Sequence, residues 1–223
     1  MNSMDFEKAR FNMVEQQVRP WDVLDARVLA VINAIPREDF TPDAYKNLAY
    51  ADTRIPLSND DSDCCMLNPN IEGRILQHLD ISDDEVVLEI GTGTGYLTAC
   101  LASLARHVDT VEINEDLSKL AEKNLAKHGF DNITLSTGDA SKSWTQKQFY
   151  DAIAITGSMP EIPESYKKML KEGGRLFVIT GEAPAMTAQL VTRTGKNTWT
   201  TKGLFETCVG SLCGIKKAET FSF

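Results

Sequence analysis

The sequence predicts an α/β protein built on a doubly wound, mainly parallel sheet with helices on both faces. Three observations lead to this fold class: short apolar runs alternate with helical segments after residue 86, the first run ends in a glycine-rich loop, and no repeat or linker interrupts the 223 residues. We expect one domain over 1–223, with N-terminal helices and a loop in 1–80, a central core in 81–180 and a β-rich end in 181–223.

The first part of the chain is predicted to be helical. Apolar residues recur every three or four positions over 4–18 and 22–34, which indicates two helices, the second ending before Pro36. The segment 51–70 is polar, rich in Asp and bounded by prolines, and is therefore predicted to be a loop. A short helix over 71–79 is expected to follow it.

The alternating region supplies the sheet. Strands are predicted at 86–90, 108–113, 133–135, 151–156 and 175–180, and helices at 96–105, 115–127 and 162–170. The helix over 115–127 stops at His128-Gly129, a basic last turn followed by a glycine cap. We expect Gly173-Gly174 to close the helix over 162–170, and the residues from Met186 onward to form a β hairpin.

Charge and composition argue against several classes of protein. The chain has 23 Lys and Arg against 32 Asp and Glu, and its net charge of −9 disfavours non-specific binding to nucleic acid. No apolar run reaches the roughly 18 residues needed to cross a membrane, so no membrane partner is expected. The N-terminus has no secretory signal core and the five cysteines are an odd number, so we expect a cytoplasmic protein.

The spacing of the cysteines does not match a zinc site. Cys64-Cys65 with Cys208 and Cys213 lacks the Cys-x-x-Cys spacing that zinc sites favour, and the three histidines are scattered. The expectation is that these thiols are unpaired and that no metal is bound.

The glycine loop after the first core strand is the most informative motif. It runs Glu89-Ile90-Gly91-Thr92-Gly93-Thr94-Gly95-Tyr96, whereas a dinucleotide-binding loop would have glycine at the place of Tyr96. The G-x-G-x-G spacing, with an acidic residue two positions before the first glycine, resembles motif I of the class I S-adenosylmethionine (SAM)-dependent methyltransferases. The resemblance implies that 81–180 is a SAM-binding core and that the loop cradles the amino-acid end of SAM.

Two further carboxylates follow neighbouring strands. Glu112 ends the second strand, where a carboxylate can accept hydrogen bonds from both ribose hydroxyls of a bound nucleoside. Asp139 follows the third strand, where this fold places a group that accepts from the adenine amine. Each could instead be a solvated turn residue, but their combination with the glycine loop favours a SAM site. The predicted cofactor-binding residues are Glu89, Gly91, Thr92, Gly93, Gly95, Tyr96, Glu112, Ile113, Asp139 and Ala140.

The absence of three sequence features narrows the chemical class of the methyl acceptor. After the fourth strand the chain has Thr156-Gly157-Ser158-Met159-Pro160 in place of the Asn/Asp-Pro-Pro-Tyr-like motif of amino-methylating enzymes. No acidic cluster suggests a catechol-type metal site, and no histidine lies in a candidate loop to act as a general base. A carboxylate acceptor needs no base, since it is ionised at neutral pH.

The whole chain resembles the protein-L-isoaspartate O-methyltransferases. The matching segments include Met13 to Val18, Ile35 to Pro42 and Tyr150 to Ile153, and the Pro-Arg-Glu-x-Phe-x-Pro segment is not a general methyltransferase feature. The resemblance implies SAM as the methyl donor and the α-carboxylate of an L-isoaspartyl residue in a protein or peptide as the acceptor. Its esterification would begin protein repair through a succinimide.

One segment departs from the family pattern. Family members carry Thr-Ile-Ser-x-Pro before the first core strand, with a serine held to be catalytic, and here Leu67 takes the serine's place when Pro69 is the anchor. The catalytic residue is therefore unassigned, within a candidate substrate loop of Met66, Leu67, Asn68 and Pro69, with Ser58 or Ser62 as substitutes by a register shift. Three alternatives stay open: an isoaspartyl methyltransferase with a variant loop, a paralogue with another acceptor, and a SAM-binding protein without activity.

Overall fold

The computed structural model describes residues 5–58, 63–144 and 148–215. The strands are β1 (Ile55–Pro56), β2 (Cys65–Met66), β3 (Val86–Ile90), β4 (His107–Glu112), β5 (Ile133–Thr137), β6 (Tyr150–Met159), β7 (Leu170–Glu182), β8 (Ala185–Gly195) and β9 (Thr198–Thr207). The α-helices are α1 (Phe6–Met13), α2 (Ala26–Ala34), α3 (Pro69–Leu79), α4 (Tyr96–Ala102), α5 (Glu115–Lys127) and α6 (Glu164–Met169).

The main sheet has the order β5-β4-β3-β6-β7-β8-β9. Its first five strands run parallel, while β8 and β9 are antiparallel to their neighbours. The chain moves from β3 to one side through β4 and β5, and then returns to place β6 on the other side of β3. This arrangement confirms the doubly wound, mainly parallel fold and puts a switch point between β3 and β6.

Apolar residues on both faces of the central strands hold the layers together. Every residue of β3 is buried. Val87 packs in a cluster with residues of α1 to α4, whereas its neighbour Leu88 belongs to a second cluster that includes Tyr166 of α6. Because successive side chains of a strand point to opposite faces, this uninterrupted apolar run covers both sides of the sheet.

The segment predicted as a loop over 51–70 contains regular structure. Ile55 pairs with Met66, and Pro56 with Cys65, to form the short antiparallel pair β1–β2. Helix α3 begins at Pro69, two residues before the predicted start, because proline is well suited to the first turn of a helix. The substrate-loop candidates therefore run from the last residue of β2 to the first residue of α3.

The boundary between α6 and β7 differs from expectation. Helix α6 ends at Met169, and Gly173-Gly174 does not close it but lies inside β7, so that prediction was wrong. Gly174 is needed there because a Cβ would come within 3.0 Å of the Tyr150 carbonyl oxygen.

The predicted C-terminal hairpin is confirmed as β8–β9. Helix α1 continues into a π-helical turn over Val14–Val18. None of the described helices is long and apolar enough to span a bilayer.

Candidate functional site

Two adjoining clefts open at the switch point, beyond the ends of β3 and β4 and beside β6. The main cleft spans about 630 Å³ and the side cleft about 360 Å³, both including open solvent at the mouth. Six residues line both clefts: Leu57, Cys65, Leu67, Gly91, Gly93 and Thr156. A cleft at a switch point is the usual place for a small-molecule ligand in an open α/β sheet.

The glycine loop forms the floor between the clefts. Gly91 and Gly93 have φ values of +96° and +57°, a left-handed conformation that side chains disfavour. A Cβ at Gly91 would collide with the Thr156 hydroxyl, and one at Gly93 would approach Leu57 Cδ1 to 3.3 Å. Because Gly93 has no side chain and lines both clefts, its backbone faces them directly.

Glu112 holds the glycine loop and faces the main cleft. Its Oε2 accepts from the Gly93 amide at 2.7 Å, and its Oε1 accepts from the Asn114 amide at 3.0 Å. Each carboxylate oxygen keeps a second lone pair that can accept from a ligand hydroxyl. Ile113 lies next to it in the wall. The structure thus brings two predicted residues, Glu112 and Ile113, to the cleft.

Glu89 lies beneath the loop and lines neither cleft. Its Oε2 accepts from the Thr98 and Thr110 hydroxyls at 2.5 and 2.7 Å, while its Oε1 is buried without a hydrogen-bond partner among the described residues. Burial raises the pKa of Glu89 to about 8, because a desolvated carboxylate is costly. Thr110 also bonds the Thr92 hydroxyl at 2.6 Å. Glu89 is therefore placed to support the loop from below.

The segment after β5 contributes through the neighbours of Asp139. Gly138 and Ala140 line the main cleft, whereas Asp139 is exposed and its Oδ1 accepts from the Ser141 amide at 2.8 Å. That hydrogen bond lowers the pKa of Asp139. The Asp139 carboxylate is not among the groups that form the cleft wall.

The four candidate substrate-loop residues fall in different places. Leu67 is buried and lines both clefts, and Met66 lines the side cleft. Asn68 points elsewhere, with its Nδ2 donating to Asp52 Oδ1 at 2.8 Å, and Pro69 is the buried first residue of α3. Ser58 lines neither cleft. Ser62 lies outside the described residues.

Tyr96 begins α4 and lines the side cleft with Thr92. Its ring meets Phe40 edge-to-face at 5.8 Å and lies under the Arg37 guanidinium at 5.1 Å. Its buried hydroxyl has no hydrogen-bond partner within the described part of the chain. The aromatic ring is thus part of the packing behind the side cleft, as well as of its wall.

Sequence reasoning missed the segment that closes the main cleft. Residues 210–213 line it, and they are held by hydrogen bonds from Ser158 N to Gly210 O and from Leu212 N to Ser158 O, both 2.9 Å. A Cβ at Gly157 would lie 2.6 Å from the Leu212 backbone. Gly157, just beyond a predicted core strand, was the available sequence signal, but its contact Leu212 is 55 residues away in the sequence.

The main cleft suits a ligand that has a flat apolar part and a hydroxylated part. Its walls are largely apolar, from Ile90, Val111, Leu117 and Leu212, and Glu112 supplies a carboxylate. Gly93 lines the cleft beside that carboxylate, and its amide donates to Glu112. An adenine ring, a ribose diol and an amino-acid tail match these three features in turn, so the residues fit SAM.

Comparison with known proteins places the chain in a family. The family model for protein-L-isoaspartate(D-aspartate) O-methyltransferase (PCMT) matches residues 9–209. A protein-L-isoaspartate O-methyltransferase from Petrotoga mobilis is 37% identical over 80% of this chain and 83% of its own length. Another from Brucella anthropi is 37% identical over 87% of each chain. The chain belongs to the protein-L-isoaspartate O-methyltransferase family.

Solved structures agree with this membership. A protein-L-isoaspartate O-methyltransferase structure superposes with a TM-score of 0.78 at 25% identity, over 93% of this chain and 66% of that one. A structure of a β-aspartate methyltransferase (PCMT) from Plasmodium falciparum, in complex with S-adenosyl-L-homocysteine, gives a TM-score of 0.79 at 19% identity, over 94% and 99% of the two chains. Both confirm the class I methyltransferase fold for this family member.

Proposed function

We propose that this family member is a SAM-dependent O-methyltransferase that esterifies the α-carboxylate of L-isoaspartyl residues in damaged proteins. One observation carries the proposal: the main cleft, which fits SAM, adjoins a side cleft across the shared lining residues Leu67 and Thr156, and Met66 of the substrate loop lines that side cleft. Family membership supports the choice of acceptor, because relatives 37% identical carry that activity in their names.

The chain's own groups bind and orient the cofactor. Glu112 offers its remaining lone pairs to the ribose hydroxyls, and the loop around Gly93 lets the amino-acid end approach the backbone. Ile113, Leu117 and Ala140 supply apolar surface for the adenine. When bound, SAM supplies an electrophilic methyl group.

The acceptor carboxylate requires positioning and no proton transfer. A carboxylate with a pKa near 4 is already ionised at neutral pH, so orientation against the methyl group is the main task of the protein. The hydroxyl of Thr156 does not replace the family's serine as a donor. Its proton is directed to the carbonyl oxygens of Ile90 and Gly91, each 2.9 Å away.

Methyl esterification of a different carboxylate is the second candidate function. It is favoured by the apolar surface that Leu57, Met66 and Leu67 present to the side cleft where a serine is expected. A missing hydroxyl leaves one acceptor oxygen without a charge-assisted hydrogen bond, worth about 1.5–3 kcal/mol. An acceptor with an apolar body would gain contacts at the same place.

The test uses labelled SAM and two peptides that differ only in one residue, isoaspartyl in one and aspartyl in the other. The measurement is base-labile ester, released as methanol, with a calorimetric SAM titration in parallel. A Leu67→Ser variant is the matched comparison, because it returns a hydroxyl to the substrate loop. We expect ester on the isoaspartyl peptide alone, and about tenfold more with Leu67→Ser.

Each other outcome has a definite meaning. SAM binding without ester on either peptide, followed by ester on an apolar carboxylic acid, would replace the first function with the second. SAM binding without turnover of any carboxylate would leave a binding protein, and absence of SAM binding would overturn both functions. The cytoplasmic location and the lack of nucleic-acid and membrane partners remain predictions from composition.

A further inference from the structure

Arg37 is a fully buried arginine behind the side cleft. Its Nε and Nη2 donate to the two carboxylate oxygens of Glu72 at 3.1 and 3.2 Å. Its Nη1 donates to the Ala49 carbonyl at 3.0 Å, and Nη2 also donates to the Leu67 carbonyl at 2.6 Å. One guanidinium therefore joins the segment before β1, the substrate loop and helix α3.

A gain in folding stability is a weak explanation for the buried ion pair of Arg37 and Glu72. Removing two charges from water costs several kcal/mol per ion, and apolar residues of similar volume often stabilise a protein as well or better. The rigid, planar fork of an arginine does something that an apolar pair cannot do, since it fixes two backbone carbonyls in one plane with a carboxylate.

Three of the residues that contact Arg37 line the clefts. Leu67 lines both clefts, and Glu72 lines the side cleft beside it. The Cζ of Arg37 lies over the ring of Tyr96, 5.1 Å from its centre, and Tyr96 directly follows the last glycine of the glycine loop. Arg37 thus contacts both sides of the place where the acceptor would meet the cofactor.

We propose that Arg37 is a positioning residue for methyl transfer, which holds the substrate loop through the backbone of Leu67 at a set distance from the glycine loop. The inference rests on the proposed function. An acceptor misplaced by about 1 Å can lose roughly 100-fold in rate. Arg37 has no surface to offer a ligand, so it acts entirely through the loop.

The test removes both charges together, since Glu72 without Arg37 would be a buried carboxylate with no charge partner and would destabilise the chain. The variant is Arg37→Met with Glu72→Met. Its matched control is Arg175→Met with Glu85→Met, a second arginine–glutamate pair in which Arg175 also bonds backbone carbonyls, at Leu79 and Asp80. Glu85 precedes β3, so this pair lies at the end of the sheet away from the clefts.

Four quantities are measured on each protein: kcat and KM for the isoaspartyl peptide, the SAM Kd, and hydrogen exchange of the segment 63–69. We expect the Arg37 variant to lose about 100-fold in kcat/KM for the peptide, to bind SAM as before, and to exchange faster over 63–69. The control should keep all four values, even where its thermal stability falls.

A wild-type kcat/KM in the Arg37 variant would overturn the proposal, as would unchanged exchange over 63–69. Failure of the proposed function gives a different result. In that case the wild-type protein forms no ester, while the exchange of 63–69 and the SAM titration still report whether Arg37 holds the loop.

Discussion

Protonation of Glu89 should set how the stability of this fold depends on pH. The carboxyl group is buried, accepts from Thr98 and Thr110 on one oxygen, and has a pKa of about 8. Replacement by glutamine keeps an oxygen that can accept both hydroxyls and removes the titration. Glu89→Gln therefore isolates the ionisation from the hydrogen bonds.

The magnitude follows from linkage between proton binding and folding. The folded chain keeps this proton up to about pH 8, whereas the unfolded chain releases it near its ordinary pKa of 4.5. The stability from this group is thus fully present below pH 4.5 and is lost as the pH rises through 8. The slope is about 1.4 kcal/mol per pH unit between the two pKa values and flattens near each of them, so roughly 3.5 kcal/mol should disappear between pH 5 and pH 8.

Urea unfolding at pH 5, 6, 7 and 8 measures the effect. We expect the free energy of unfolding of the wild-type chain to fall by roughly 3.5 kcal/mol more than that of Glu89→Gln over this range. Glu122→Gln, an exposed change in α5, is the control and should follow the wild type. Parallel curves for the wild type and Glu89→Gln would refute the reasoning, because they would mean that Glu89 is ionised in the folded state.

Three further predictions concern the clefts. Gly93→Val should abolish SAM binding and leave the circular dichroism spectrum intact, because a β-branched side chain would enter the main cleft towards Leu57; unchanged calorimetric affinity would contradict it. Glu112→Gln should weaken SAM binding by about 10- to 100-fold in the same titration, since one amide loses its acceptor, and an unaltered Kd would place the ribose elsewhere. Gly157→Ala should cost about 1–3 kcal/mol in urea unfolding, because its Cβ lies 2.6 Å from the Leu212 backbone; a neutral effect would show that the segment 210–213 yields freely.

Local patterns in the sequence predicted the parts of the fold and site that depend on nearby residues. The apolar run of β3 and the G-x-G-x-G spacing determine local structure, and Glu112 follows from the end of the next strand. Asp139 shows the limit of this reasoning: it follows β5 as predicted, but spacing does not say that its Oδ1 accepts from the Ser141 amide, and its contact with a cofactor stays a prediction. Which way an exposed carboxylate points depends on the loop around it, and spacing does not encode that.

Features that depend on distant residues could not be predicted in this way. The Gly173-Gly174 pair resembled a helix cap, but the close carbonyl of Tyr150 explains Gly174, and that contact exists only after β6 and β7 have paired. The closure of the main cleft by 210–213 is similar, because it depends on backbone hydrogen bonds to Ser158. Arg37 was visible in the sequence as part of a family segment, yet its partners at 49, 67 and 72 come from three separate segments.

The hydrogen bond from Arg37 to Leu67 also bears on the serine that the family resemblance predicts at this position. Arg37 binds the carbonyl oxygen of residue 67, which every amino acid carries, so the side chain at this position can change without loss of that hydrogen bond. Leu67 presents an apolar side chain to the junction of the clefts, in the place where the resemblance predicts a polar one. The position of the loop and the chemistry of its side chain are therefore separable. Leu67→Ser should accordingly raise ester formation on the isoaspartyl peptide without altering the exchange of 63–69.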